Sequence, residues 1–448
     1  MLIIVSDLHL GDGTTAASIP ASAFHLFARR LRESTHFASL REDGTFRPIE
    51  SLDVVLMGDI LDPLHSTLWL KSMPGDPDYV RPWSDPSNPH FAPKLLEVTR
   101  AILEENKESM QVLRGCANGE LVYVFPDPQS KERIPIPVRF HYMVGNHDWY
   151  YHLKGEAFDG IRREIVEEMG LCNPVTPFPY EAQESPRLTA LFERYKVYGR
   201  HGDFYDKFNF DRAQGRDHAT LGDAFTMDVC NRFPVEVQKR HGDRLPIGIV
   251  DSLRRITNIR PTLAAPLWIS GQIKSHAGSS ALEDDLKKIW DLLAREFLGL
   301  DFVRRADKAF QLDVVDAMQI IVKLTERASF STISEITGWV RERMWGEEKS
   351  FAHHALAESA FKKRKARYVV YGHTHHHEVV PLDSEGGVSY ADSRVYFNSG
   401  TWHSYFDLAI KDPREQKFVP YQALTYVTFF TPEEHDERQF ETWTGVYA

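Results

Sequence analysis

Five short apolar runs in this chain each end at once in a cluster of Asp, His, Asn or Gly, and that repetition restricts the fold more than any other feature. Leu2-Ile3-Ile4-Val5 runs into Asp7 and His9. Val54-Val55-Leu56-Met57 runs into Gly58-Asp59-Ile60-Leu61-Asp62. Val138 to Val144, which alternates more, precedes Gly145-Asn146-His147-Asp148. Lys196-Val197-Tyr198 ends at Gly199 and is followed by Arg200-His201-Gly202-Asp203. Tyr368-Val369-Val370-Tyr371 precedes Gly372-His373-Thr374-His375. Continuous apolar runs of this length suit strands buried on both faces. Open α/β sheets bind their ligands beyond the carboxyl ends of the strands, where the loops converge. The pattern therefore predicts an α/β core with its chemistry at one edge.

The stretches between the runs read mostly as helix. Ala21 to Arg32 and Pro93 to Gln111 carry apolar residues at helical spacing. Ser280-Ala281-Leu282-Glu283 has the form of a capping box, with an amphipathic run to about Leu298 behind it. Ser350 to Arg367 is rich in Ala and charge and reads as helix. Leu64 to Ala92, with Pro, Asp and Trp but no periodicity, reads as a long surface loop of the kind that forms lids. Residues 207–366 are mainly helical in composition and separate the fourth cluster from the fifth. They are expected to be an insertion, a cap or specificity region, in a core made of 1–206 and 367–448. The last part of the chain returns to β character at Val395-Tyr396-Phe397, Tyr426 to Phe430 and near Thr442.

Composition excludes several classes. At about 150 residues per domain, 448 residues allow roughly three domains, or one large domain with insertions. A formal net charge of -11 argues against a protein that coats nucleic acid through a broad basic surface. Cys116, Cys172 and Cys230 lie far apart without metal or redox spacing, so neither a disulfide framework nor a thiolate zinc site is expected. No run approaches the roughly eighteen apolar residues of a membrane span. The apolar start lacks a basic flank, so a secretory signal is not expected and the reading is a cytoplasmic soluble protein.

The five clusters offer Asp7, His9, Asp59, Asn146, His201, His373 and His375. Asp7 and His9 are two apart, as are His373 and His375, so in extended backbone each pair points to one side. Carboxylate, amide oxygen and imidazole without thiolate suit Mn²⁺, Fe or Zn²⁺ better than Ca²⁺ or Mg²⁺. Seven ligands exceed one tetrahedral site and suffice for two ions if a carboxylate bridges, as in two-metal hydrolytic sites with ions roughly 3.5–4 Å apart.

In order and content the clusters resemble the calcineurin-like metallophosphoesterase superfamily, whose pattern is D-x-H, G-D-x-x-D, G-N-H-D/E, an isolated His, and G-H-x-H. The resemblance rests on few residues, but they span positions 7 to 375. It implies a four-layer sandwich of two β-sheets flanked by helices, here with a large helical insertion. It implies that Asp7, His9 and His375 hold one ion, that Asn146, His201 and His373 hold the other, and that Asp59 bridges. It places His147 at the substrate as the group that assists the leaving oxygen, with Asp148 able to orient its ring. A bridging hydroxide would attack phosphorus in line. His201-Gly202-Asp203 and Ser6-Asp7-Leu8-His9-Leu10 are similar to the branch containing the UDP-2,3-diacylglucosamine pyrophosphohydrolases. This chain has His147 where that branch carries Arg, and its insertion is longer, so that lipid substrate is not carried over.

Other readings stand beside these. Asp62 suits a helix N-cap, Asp203 and Asp206 suit supporting or loop positions, and Asn398-Ser399-Gly400-Thr401 suits a turn. His353, His354, His376 and His377 read as solvated or loop residues, and Lys362-Lys363-Arg364-Lys365 as a solvated helix face. Trp69 and Trp83 suit either stacking on a ligand or packing. The expected function is hydrolysis of a small-molecule phosphomonoester, phosphodiester or pyrophosphate with two divalent ions, Mn²⁺ foremost. A nuclease is the alternative, since relatives of the repair-exonuclease type share the Asp-x-His-Leu-Gly start, but the net charge disfavours it. A non-catalytic scaffold is a third reading, disfavoured because all seven ligands are kept. The sequence is silent on oligomeric state.

Overall fold

All five apolar runs form strands, and they divide between two sheets of a mixed α/β protein. The computed structural model describes the chain apart from residues 16–17, 42, 128–129, 261–264, 277–278, 307–349, 385–392, 409–417, 436–437 and 447–448. In the first sheet Leu2–Val5 lies parallel to Leu52–Met57, which lies parallel to Val138–Met143. Leu424–Phe429 and Phe440–Gly445 extend its other edge antiparallel. In the second sheet Val197–Gly199, Tyr368–Tyr371 and Ser393–Asn398 run parallel, and Glu378–Ser384 closes the edge antiparallel.

Alternation along the strands sorts their side chains into separate cores. Ile3, Val5, Val54 and Leu56 pack with apolar residues of the helices Ala21–Ala38, Phe91–Glu105, Lys107–Ala117 and Glu156–Met169. Their neighbours Leu2, Ile4, Val55 and Met57 meet Val370, Val395 and Phe397 of the second sheet. Val369, Tyr371 and Tyr396 face the opposite way and are covered by Phe351, Ala355 and Phe361. Each sheet is thus buried on both faces, which is why its central strands read as unbroken apolar runs.

Several expectations need correction. The helix expected over 93–111 is two helices, because the Asn106 side chain donates to Ile102 O at 2.8 Å and to Gly11 O at 2.8 Å, competing with the backbone where the first helix ends. The helix expected over 350–367 is also broken. Glu358 sits extended between Ala352–Ala357 and Ser359–Lys362, and its carboxylate accepts from Tyr371 Oη (2.8 Å) and Tyr205 Oη (2.5 Å). The helix Ser280–Gly299 is capped one residue early, by Ser279 accepting from Leu282 N. The 64–92 segment is not a free surface loop. Trp69 is fully buried and donates to Pro63 O at 2.8 Å, and the buried Arg81 donates to Ser72 O at 3.0 Å and to Trp69 O.

Within residues 207–366, helices from Leu221–Phe225 to Asp301–Ala306 enclose an apolar core, including Phe233, Leu253, Trp268, Trp290 and Phe297. This unit docks on the segment just described. Asn231, in a π-helical stretch Thr226–Asn231, donates to Leu64 O at 2.9 Å; Trp83 donates to Asp228 and stacks on Phe302. Ile259–Arg260 also pairs with Tyr405–Leu408, tying this helical region to the C-terminal part of the chain.

Candidate metal centre

The strand ends are held in an unusual backbone conformation. Among the described residues nine non-glycines have positive φ, and five of them are Asp7 (55°), His9 (46°), Asp59 (55°), His373 (68°) and His375 (64°). Left-handed backbone at such residues costs about 1–3 kcal/mol each and persists where the surroundings impose it, commonly at functional sites. Glycines make room for the same side chains. A Cβ on Gly58 would lie 2.6 Å from His201 Nδ1, and one on Gly372 would lie 2.5 Å from Asp7 Oδ2. The glycines that open the second and fifth clusters are therefore space requirements of side chains that other clusters send to the same place.

The structure brings the seven expected ligands into two adjoining groups. In one, His9 Nε2 lies 3.1 Å from His375 Nε2 and 3.8 Å from Asp7 Oδ1, and His375 Nε2 lies 3.4 Å from Asp7 Oδ1. In the other, Asn146 Oδ1 lies 3.1 Å from His201 Nε2 and 3.0 Å from His373 Nδ1. Asp59 Oδ2 stands between them, 3.8 Å from His9 Nε2 and 3.2 Å from His201 Nε2. Two atoms bound to one ion at about 2.1 Å are separated by roughly 3.0–3.4 Å in octahedral cis or tetrahedral geometry. Most of these spacings fall in or near that range. Asp7-His9-His375, all buried, and Asp59-His201-His373, with His373 half-buried, are His/Asp groups able to hold a metal ion.

The imidazoles are also fixed from behind. His9 turns Nδ1 to Asp62 Oδ2 (2.8 Å), His201 turns Nδ1 to Met57 O (3.1 Å), and His373 turns Nε2 to Asp206 Oδ2 (3.1 Å). One nitrogen of each ring is thus committed and the other points inward, the arrangement outer partners impose on metal-binding histidines. Asp206 is the supporting residue suggested by sequence, whereas Asp203 instead pairs with Arg216.

His147 is oriented differently from expectation. Its Nδ1 lies 3.2 Å from both oxygens of Asp62. Asp148 faces away. It accepts from Gly145 N (2.6 Å), Ile60 N (2.8 Å) and Tyr142 Oη (2.7 Å), closing the turn that carries Asn146 and His147. The orienting role assigned to Asp148 therefore passes to Asp62. Asp62 does cap the Pro63–His65 turn, accepting from His65 N at 3.1 Å, but it also takes His65 Nδ1 at 2.7 Å. The group His9, Asp62, His65 and His147 offers clustered ligand atoms too. Its closest contacts, at 2.7–2.8 Å, are shorter than two ligands of one ion allow and fit charge-assisted hydrogen bonds.

Two nearby histidines escaped the sequence reading. His65 lies with its ring 5.0 Å from that of His147, and His403 lies 5.5 Å from His9. Neither belongs to a repeated cluster; only the three-residue offset from Asp62 hinted at His65. Other histidines stay outside the groups: His354 stacks on Tyr205, His353 is exposed, His376 meets Tyr405, and His377 is half-buried. Lys362, Lys363, Arg364 and Lys365 are exposed, in agreement with a solvated face. In the Asn398–Thr401 turn, Thr401 Oγ1 donates to Asp7 O at 2.6 Å, so it underpins the first group.

The charges balance locally. Burial opposes charge on His9, yet its hydrogen bonds to Asp62 and Asp7 hold its pKa at about 10. Burial likewise opposes charge on His201, and the Asp59 and Asp7 carboxylates raise it to about 10. Asp7, Asp59 and Asp62 are held low against burial by the facing imidazoles. Asp148 is the exception. Burial and the charge of Asp59 push it up to about 7, as suits a carboxyl spent on turn closure. A cation entering such a cage displaces imidazole protons.

No family model matches the chain, and no curated protein matches it significantly. Among the described residues, no helix is long and apolar enough to cross a membrane.

Proposed function

We propose that this protein is a dinuclear metal-dependent phosphoesterase of the calcineurin-like type. On this reading the two-sheet core is the metallophosphoesterase sandwich and residues 207–366 are its insertion. One observation carries it: a single oxygen of Asp59 faces His9 on one side and His201 on the other, joining two ligand groups with ligand-like spacing. The donor set of oxygen and imidazole nitrogen suits Mn²⁺, Fe or Zn²⁺, and the ion proposed here is Mn²⁺. Two bound ions would supply a water of lowered pKa and neutralise phosphoryl oxygens.

The chain's own residues do the rest. Asp62 fixes Nδ1 of His147 and leaves Nε2 for the reacting group. As the oxygen of water bonds to phosphorus and the ester oxygen departs, His147 gives the departing oxygen its proton. The backbone N of His147 donates to Asp59 Oδ1 at 2.8 Å, so the proton donor is fixed directly to the bridging carboxylate. The substrate on this reading is a small-molecule phosphate ester.

Metal analysis with a turnover assay tests the proposal. Protein dialysed against Mn²⁺ should hold two ions per chain and hydrolyse phenyl phosphate. Asp59→Ala should lose most of the bound metal and on the order of a thousandfold or more in turnover. A folded wild-type protein that holds no ion at saturating Mn²⁺ would overturn it.

A further inference from the structure

The turn Pro63–His65, which follows Asp62, is held at each of its three carbonyls by a side chain from elsewhere. Pro63 O accepts from Trp69 Nε1 at 2.8 Å, Leu64 O from Asn231 Nδ2 at 2.9 Å, and His65 O from Thr15 Oγ1 at 3.0 Å. All three residues of the turn are buried. What the turn positions is Asp62. Asp62 Oδ1 accepts from His65 N at 3.1 Å, and the same carboxylate meets Nδ1 of His147 at 3.2 Å and Nδ1 of His9 at 2.8 Å. A displaced turn would carry the carboxylate with it, and the His147 ring with the carboxylate.

Thr15 and Trp69 come from the same part of the chain as the first two clusters. Asn231 is 167 residues from Leu64, in the helical region. It is 1% exposed, and its Oδ1 has no hydrogen-bond partner, although a buried polar atom ordinarily finds one. A buried amide is thus kept at this position for the bond its Nδ2 makes to Leu64. The stretch that carries it, Thr226–Asn231, is π-helical, an irregularity frequent at functional sites. The same stretch has a second tie, from Trp83 to Asp228, and that one does not bear on the turn.

We propose that Asn231 is a positioning residue for His147: by fixing Leu64 it holds Asp62, and through Asp62 it sets the direction in which His147 presents Nε2. The inference rests on the phosphoesterase reading, in which a P–O bond forms to the oxygen of water, the ester P–O bond breaks, and His147 gives the departing oxygen its proton. The helical region then takes part in the reaction through one hydrogen bond to the backbone, without touching the substrate by that route. The effect of losing Asn231 should follow the demand for that proton. Phenolate is basic and departs poorly without it, whereas 2,4-dinitrophenolate is a stable anion and departs unprotonated.

The probes are phenyl phosphate and 2,4-dinitrophenyl phosphate at saturating Mn²⁺, with wild type, Asn231→Leu, Trp83→Phe, His147→Gln and the double variant of Asn231→Leu with His147→Gln. Leucine keeps the shape of the amide and removes its donor. The ratio of kcat/KM on phenyl phosphate to that on 2,4-dinitrophenyl phosphate should fall about tenfold in Asn231→Leu, the lower end of the cost of an outer partner. It should stay at the wild-type value in Trp83→Phe, which loosens the same stretch away from the turn. In the double variant it should be no lower than in His147→Gln alone, since two residues acting through one group are not additive. Equal losses on both esters, an unchanged ratio, the same fall in Trp83→Phe, or a further fall in the double variant would each overturn the inference while leaving the phosphoesterase reading intact. Mn²⁺-loaded wild type inactive on both esters would sink that reading, and the inference with it. Circular dichroism and metal content show whether each variant is folded and loaded, and Asn231→Ser, whose hydroxyl is too short to reach Leu64 O, repeats the test should Asn231→Leu not fold.

Discussion

The two halves of the candidate ligand cage are built in different ways. Asp7, His9 and His375 are all buried, and their backbone is pinned by the core itself: Asp7 N donates to Gly58 O at 3.0 Å, His9 N to Asp59 O at 2.9 Å, and Trp402 N to Asp7 O at 3.2 Å. In the other half Asn146 and His201 are also buried, and His373 opens outward. His373 is only partly buried, and the residue behind it, Asp206, comes from a loop near the start of the insertion. The first half is therefore set by strand positions, and the second depends on a segment that is separately anchored. A preorganised half-site costs less to order on binding, so the inner half should hold its ion more tightly.

Removing one ligand from each half gives the largest contrast. His375→Ala should cost the inner ion and His373→Ala the outer, each leaving about one ion per chain and lowering turnover on the order of a hundredfold or more. Titration calorimetry with Mn²⁺ should show the tighter of two binding events missing in the first variant and the weaker missing in the second. The reverse assignment would break the comparison.

The supporting carboxylates should separate next. Asp62→Asn, which loosens both His9 and His147, should slow turnover by about 10–100-fold, the usual cost of losing an outer partner. Asp148→Asn should instead cost stability, about 1–3 kcal/mol for a buried acceptor site left mismatched, seen as a lower denaturation midpoint. A slow but fully stable Asp148→Asn enzyme would restore to Asp148 the role its position in the sequence suggests. Asp206→Ala should weaken only the outer ion, again by about 10–100-fold, with the inner binding event unmoved.

The seven candidate ligands were legible as a group because each sits in a cluster directly after an apolar run; the expected extended backbone was not what aligned Asp7 with His9 and His373 with His375, since all four have positive φ. Asp148 misled because adjacency along a chain says nothing of direction in a turn: its carboxylate folds back on Gly145 N, while His147 reaches across to Asp62. Asp62 was half legible. Its capping role follows from residue type, but the meeting with three imidazoles depends on contacts between distant segments. His403 left no signal at all, since a lone histidine after a turn has no local mark. The strands were more readable than the helices for a similar reason. Burial on both faces writes itself into composition, whereas the breaks at Asn106 and Glu358 arise from single side chains finding partners elsewhere.

The weakest effect concerns the anchor of the outer half. The 203–217 loop is tied down by Arg216, which pairs with Asp203 and lies 4.3 Å over the Tyr180 ring, and by His152, whose Nδ1 meets Asp217 Oδ1 at 2.6 Å. Burial works against charge on His152, but Asp217 and Glu184 raise its pKa to about 9. Unfolded, the same imidazole titrates near 6.5. A raised folded pKa means that protonation favours the folded state. The contribution is therefore whole below about pH 6.5, declines between there and about pH 9, and is gone above. Denaturation midpoints measured from pH 6 to pH 9.5 should fall more steeply for wild type than for His152→Gln, which lacks the titrating group. Parallel curves would mean that the loop does not draw on this pair.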